Sequence, residues 1–177
     1  MTMTAARGST DVAALVVQAQ RGDQAAMARL HRDFAPMVHG LLLARVPRGE
    51  VDDLVQDVFV TVMERLPSLR EPGSFGGWLA TIARNRAHDY HRQKREDVEL
   101  LEETAPDPRS QEDAEAAHVL HLVRSLPEAY RETLVLRLVE GMTGPEISER
   151  TGLTPGSVRV NLHRGMQLLR EKLGWTT

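Results

Sequence analysis

The chain has 177 residues, a formal net charge of −3 and no cysteine, which excludes disulfides and thiolate metal sites. Its apolar runs are too short to span a bilayer, and the N-terminal MTMTAARGSTD lacks the apolar stretch of a secretion signal, so a cytoplasmic protein without membrane insertion is expected. The charge is segregated: residues 1–95 sum to +3, residues 96–117 to −8 and residues 118–177 to +2, which leaves nucleic-acid binding open to either end of a formally acidic chain.

Taken in chain order, a first helix is predicted from Thr10-Asp11 to Arg21, with Gly22-Asp23 breaking and recapping the chain. A second helix covers about 24–45, with Met27, Leu30, Phe34, Met37, Val38, Leu41 and Leu42 on one stripe and Pro36 as a point of kinking. A third, about 50–66, carries Val51, Leu54, Val55, Val58, Phe59, Val62 and Leu66 on its apolar side, and its other side opens with Asp52, Asp53, Gln56 and Asp57. After a loop from Pro67 to Gly73, a fourth helix over about 74–95 begins apolar, with Phe75, Trp78, Leu79 and Ile82. It ends basic, with Arg84, Arg86, Arg92, Lys94 and Arg95.

Residues 96–113 are rich in acid and proline with little to bury, the composition of a flexible linker. Helices follow at about 114–125, 127–140, 144–151 and 155–172. Thr143 and Glu146 fit a capping box, Gly152 fits a left-handed helix end, and Thr154-Pro155 caps and starts the last helix. Strand signals are weak, since only 4% of residues are aromatic and no segment alternates over strand length. The fold class expected is all-α: a four-helix domain at 10–95, an acidic flexible linker at 96–113, and a helix-turn-helix domain at 114–174.

Three patterns carry candidate chemistry. An eight-residue helix, the turn Gly152-Leu153-Thr154 and a longer helix have helix-turn-helix spacing. Burying Ile147, Leu153, Val158, Leu162 and Leu169 leaves Pro155, Arg159, Val160, His163, Arg164 and Gln167 outward, as a major-groove reader requires; the plainer alternative is a helical hairpin with a solvated arginine face. The basic end of the fourth helix could follow a phosphate backbone, with Asn85 and Asp89 four apart to hold an extruded base, or could be a solvated helix end favoured by the dipole. The acid and amide side of the third helix suits a basic partner helix, or compensates the dipole at its N-terminus. His88/His91 and His118/His121 lack the companions of a metal site, and no phosphate loop, nucleophile elbow or carboxylate pair is present. No enzyme activity and no cofactor or metal is expected.

These runs, in this order, resemble the extracytoplasmic-function group of sigma factors of the sigma-70 family, over about residues 12–173. The first block carries Gly22-Asp23-x-x-Ala26, Phe34-Ala35-Pro36-x-Val38, Asp53-Leu54-x-Gln56-Asp57-x-Phe59 and Phe75-x-x-Trp78-Leu79-x-x-Ile82-Ala83-x-Asn85-x-x-x-Asp89-x-x-Arg92. The second carries Leu126-Pro127-x-x-Tyr130-Arg131, Gly141-Met142-Thr143-x-x-Glu146-Ile147 and Gly156-Ser157-Val158-Arg159-x-x-Leu162-His163-Arg164. The resemblance implies that the first block is sigma region 2 and the second is sigma region 4. It implies an alternative sigma factor that binds bacterial core RNA polymerase through Asp53, Gln56, Asp57 and Val60. Arg84, Asn85, His88, Asp89 and Arg92 would melt and read the minus-ten element. Arg137, Ser157, Arg159, Val160, His163 and Arg164 would contact the minus-thirty-five element. Trp78 would be structural. The partners implied are core polymerase, promoter DNA and, as a candidate regulator, an anti-sigma factor, with a monomer outside the holoenzyme. Asn161 and Met166 depart from the family's basic positions, and Gly165 inside the last helix is expected to loosen it by about 1 kcal/mol relative to alanine. Two competing readings are a one-component helix-turn-helix regulator that binds duplex operators without polymerase, and a helical adaptor that touches only proteins.

Overall fold

A computed structural model describes residues 4–97 and 111–175, and all regular structure among them is helical. The first half holds α1 (Thr4–Gln20), α2 (Gln24–Leu43), α3 (Arg48–Arg65) and α4 (Phe75–Asp97), with 3-10 turns at Leu66–Ser68 and Pro72–Ser74. The second holds α5 (Gln111–Arg124), α6 (Glu128–Leu138), α7 (Gly144–Thr151) and α8 (Pro155–Lys172). The last two helices start and stop where the sequence places them. The acidic segment expected to be a linker is helical at both margins, since α4 runs to Asp97 and α5 begins at Gln111; its interior lies outside the described residues.

Local chemistry sets the boundaries. The Asp23 carboxylate accepts from the Ala25 and Ala26 amides at 2.9 and 3.2 Å and starts α2. Pro36 lies within α2, which continues as one helix to Leu43. On α7, Thr143 and Glu146 form the full capping box: the Thr143 amide donates to Glu146 at 2.7 Å and the Glu146 amide donates to the Thr143 hydroxyl at 3.4 Å. Gly152 ends α7 at φ 77°, and Thr154 accepts from the Ser157 amide at 3.1 Å to start α8.

In the first half, Leu30, Met37, Val38, Leu41 and Leu42 of α2 pack with Val51, Val58 and Val62 of α3 and Phe75 and Leu79 of α4, all essentially inaccessible. Each large side chain buried this way contributes about 1.5–3 kcal/mol. Phe34 and Phe75 meet edge to face with ring centres 5.0 Å apart. Gln20 donates to the Leu66 and Leu69 carbonyls at 3.0 and 2.8 Å, tying the end of α1 to the loop after α3. In the second half, Leu134 and Leu136 of α6, Ile147 of α7 and Val158 and Leu169 of α8 form the interior.

The two halves, each a helical domain, pack against each other. Their buried residues form one continuous cluster, with α2 against α6 and α4 against α7. The approach is close because glycines stand on the first-half side. A β-carbon at Gly40 would come within 2.7 Å of the Leu136 side chain. At Gly76 it would strike the Arg150 carbonyl, and Gly152 sits against the Gly77 backbone. Polar contacts surround these points. Arg45 pairs with Glu128 at 2.5 Å and with Glu132, while Arg84 grips Glu132 through two bonds of 2.7 and 3.0 Å. His39 meets Glu140 at 2.5 Å, and the Arg150 guanidinium donates to the Asp33 carbonyl. Arg124 donates to the carbonyls of Leu43 at 2.8–2.9 Å and Val46 at 2.6 Å, closing the C-terminal end of α2.

Candidate nucleic-acid interface

Three exposed faces hold most of the residues singled out by sequence. On α3, burying Val51, Leu54, Val58, Phe59 and Val62 turns Asp53, Gln56, Asp57 and Val60 outward, with spacings of three and four that keep them on one face. Met63, 56% exposed, extends this face by one turn, an apolar neighbour the sequence reading missed. Asp57 is not wholly available, because Arg86 of α4 donates to its carboxylate, through Nε at 3.1 Å and through Nη2.

On α4, Asn85, His88 and Arg92 are exposed and Asp89 is half-buried beside them, with Arg92 held on Asp89 at 3.0 Å. Asn85 and Asp89 share one face, as their four-residue spacing dictates. Arg84 is separate: its guanidinium turns into the junction with the second half, where the Glu132 carboxylate keeps it charged by raising its pKa despite its burial. The sequence places Arg84 with the nucleic-acid contacts; the structure places it on a carboxylate. Trp78 is half-buried against Phe75, ring centres 5.9 Å apart, in the packing role expected of it.

On α8, burying Val158, Gly165 and Leu169 against α6 and α7 leaves Ser157, Arg159, Val160, His163, Arg164 and Gln167 exposed on one side. The free N-terminal turn adds the positive end of the helix dipole, which favours phosphate. Ser157 is partly engaged, since its hydroxyl accepts from Thr154 at 2.8 Å. Arg137 is exposed, yet its guanidinium donates to the Met142 carbonyl at 3.1 Å and braces the turn before α7. Gly165 has a packing reason to be glycine, because a β-carbon there would lie 3.1 Å from two Leu134 carbons and 3.2 Å from Tyr130 Cβ. The junction residues Arg45, Glu132, His39, Glu140 and Arg150 were missed in the sequence; the one hint was Glu132, a charge at a position α6 turns inward, now 5% exposed. Glu128 is held below the usual carboxylate range by the Arg45 guanidinium, and Glu146 by the Thr143 amide and hydroxyl.

Residues 30–96 match the sequence profile of sigma-70 region 2, and residues 117–169 match that of sigma-70 region 4. The RNA polymerase sigma factor CarQ of Myxococcus xanthus is 37% identical over 163 residues, spanning 86% of this chain and 92% of its own. The chain belongs to the extracytoplasmic-function sigma factors of the sigma-70 family. The sigma factor ShbA of Streptomyces griseus is 32% identical, covering 92% of this chain and 95% of its own. Among solved structures, CnrH in complex with the cytosolic domain of CnrY superposes with a TM-score of 0.65 at 26% identity, over 94% of this chain and 99% of that one. The sigma factor RpoE of Bartonella quintana, in complex with the anti-sigma factor NepR, shares the fold at 20% identity and a TM-score of 0.55, over 79% and 91% of the two chains. The present sigma factor is therefore a transcription initiation factor and not an enzyme; the regulator and adaptor readings are set aside. No described helix is long and apolar enough to cross a membrane.

Proposed function

We propose that this alternative sigma factor divides its work among the three faces. The α3 face docks on the polymerase core through Asp53, Gln56, Asp57 and Val60, with Met63 adding apolar area. The α4 face takes the minus-ten element, Asn85 and Asp89 holding a base drawn out of the stack while His88 and Arg92 meet the backbone beside it. Arg84 joins them once freed from Glu132. The α8 face lies in the major groove of the minus-thirty-five element: Arg159, Val160, His163 and Arg164 face base edges, and Ser157 and Arg137 lie near the phosphates. Residues 10–95 and 114–174 are the two working domains, and 96–113 the acidic connection between them. The free protein is a cytoplasmic monomer, and the complexes formed by the two solved relatives support an anti-sigma factor as its regulator.

The observation that carries this reading is the outward turn of all four α3 positions, opposite the packed stripe of Val51, Leu54, Val58, Phe59 and Val62: a self-sufficient regulator has no use for such a face. The test is capture of core polymerase by the protein carrying Asp53→Ala and Gln56→Ala together. Capture should fall sharply while helix content by circular dichroism stays unchanged. Undiminished capture would remove the docking role.

A further inference from the structure

Arg86 belongs to the basic end of α4, among the groups that the sequence alone offers to a phosphate backbone. The fold sends it elsewhere. It follows Asn85 by one residue, about 100° round the helix, and so leaves the line that Asn85, His88 and Arg92 share. Its guanidinium reaches α3 instead. There Nε donates to Asp57 Oδ2 at 3.1 Å, and Nη2 donates to the same oxygen. Among the described residues, no group donates to Asp57 Oδ1.

We propose that Arg86 is a positioning residue for polymerase docking: it fixes the Asp57 carboxylate in one rotamer, with Oδ2 occupied and Oδ1 left for a donor on the polymerase core. This rests on the docking role given above to the α3 face. A carboxylate accepts several hydrogen bonds at once, so an internal pair on one oxygen does not exhaust it. Arginine suits the task, because its planar fork brings two N–H groups to one place, where lysine would offer a single ammonium on a freely turning stem.

Folding gains little from this pair, whose side chains are 29% and 49% exposed. Its consequence is conformational. An aspartate in a helix has two common side-chain rotamers and a rare third, so without Arg86 about a third to a half of the molecules would present the docking rotamer. Apparent affinity for core polymerase falls by the inverse of that fraction, about two- to threefold. Arg86 also cancels part of the Asp57 charge, which by itself would weaken attraction to a basic partner. Between exposed groups salt screens that effect, whereas it does not screen a fixed rotamer.

Titration of fluorescently labelled full-length protein with core polymerase, at raised salt, reads the affinity. Arg86→Ala should bind about two- to threefold more weakly than the wild type, with helix content by circular dichroism unchanged. Arg86→Met keeps the stem without the donors and decides should alanine disturb the fold. The distinguishing readout is the double variant: in an Asp57→Ala background, losing Arg86 should cost nothing further, since the two act as one unit. An equal loss in both backgrounds would make Arg86 independent of Asp57 and overturn the positioning role, while the docking face stands. Unchanged or tighter binding by Arg86→Ala would overturn it too. So would a defect confined to binding of a premelted minus-ten template by the holoenzyme, with core affinity intact, which would assign Arg86 to nucleic acid. An Asp57→Ala variant that binds core as the wild type does would remove Asp57 from the docking face, and the role of Arg86 with it.

Discussion

Replacing Gly165 with alanine sets two effects against each other. Judged by propensity alone, the change should stabilise α8 by about 1 kcal/mol, since glycine is a poor helix former. The packing reverses the sign. The new β-carbon would sit 3.1 Å from Leu134 Cγ and Cδ1 and 3.2 Å from Tyr130 Cβ, closer than van der Waals contact allows. Tyr130 Cβ is fixed to the α6 backbone, and Leu134 Cγ can move only by leaving its rotamer, so α6 and α8 must separate by a few tenths of an ångström. Overpacking of this kind costs about 1–3 kcal/mol, which outweighs the propensity gain and leaves a net loss of about 1 kcal/mol. For a chain of this size that lowers the melting temperature by about 2–4 °C. Thermal unfolding followed by circular dichroism reads the change directly. A melting temperature equal to or above that of the wild type would show that the α6–α8 contact has slack and that the packing argument is wrong.

Removing the arginine side chain at 159 or 164 should weaken binding to promoters with the upstream element by about 1–3 kcal/mol for a lost bidentate base contact, measured by competition between duplexes with that element intact and scrambled. Thr143→Ala should cost about 1 kcal/mol in a denaturant titration. Because the cap holds Glu146 below its ordinary 4.5, its contribution is complete above that value and disappears as pH falls through the lowered pKa; the variant should lose this acid dependence. Closure raises the pKa of His39 above 6.5, chiefly through its hydrogen bond to Glu140, with Asp52 reinforcing and Arg48 and burial opposing. The contact is therefore at full strength below about 6.5 and fades as pH rises through the raised value, so scattering of the free protein should show a larger radius above that raised value than below 6.5. His39→Gln should flatten that profile.

Fold class and helix ends were legible where local chemistry decides them. The Thr143–Glu146 box, the left-handed Gly152 and the Thr154 cap set the limits of α7 and α8 by interactions within a few residues. The α3 and α8 faces could be read because burying one stripe of a helix exposes the other. At the α4 end the pairing of Arg84 with Glu132 was not legible, because a cation in a basic run looks solvated until a carboxylate 48 residues away claims it. The contact between the two domains was not legible for the same reason: Gly40, Gly76, Arg45 and Glu132 carry no local signal and acquire meaning only when the halves meet. Gly165 was legible as a helix weakness and not as a packing necessity, because its neighbours Tyr130 and Leu134 come from another helix.

Adding the purified protein to core polymerase that lacks any other sigma factor, with a library of promoter fragments as template, tests most directly whether these three faces serve initiation. Specific run-off transcripts are expected, lost when Arg159 and Arg164 are both replaced by alanine and reduced when Asp53 and Gln56 are. Binding to duplex DNA in the absence of polymerase, with no specific start site in its presence, would contradict it.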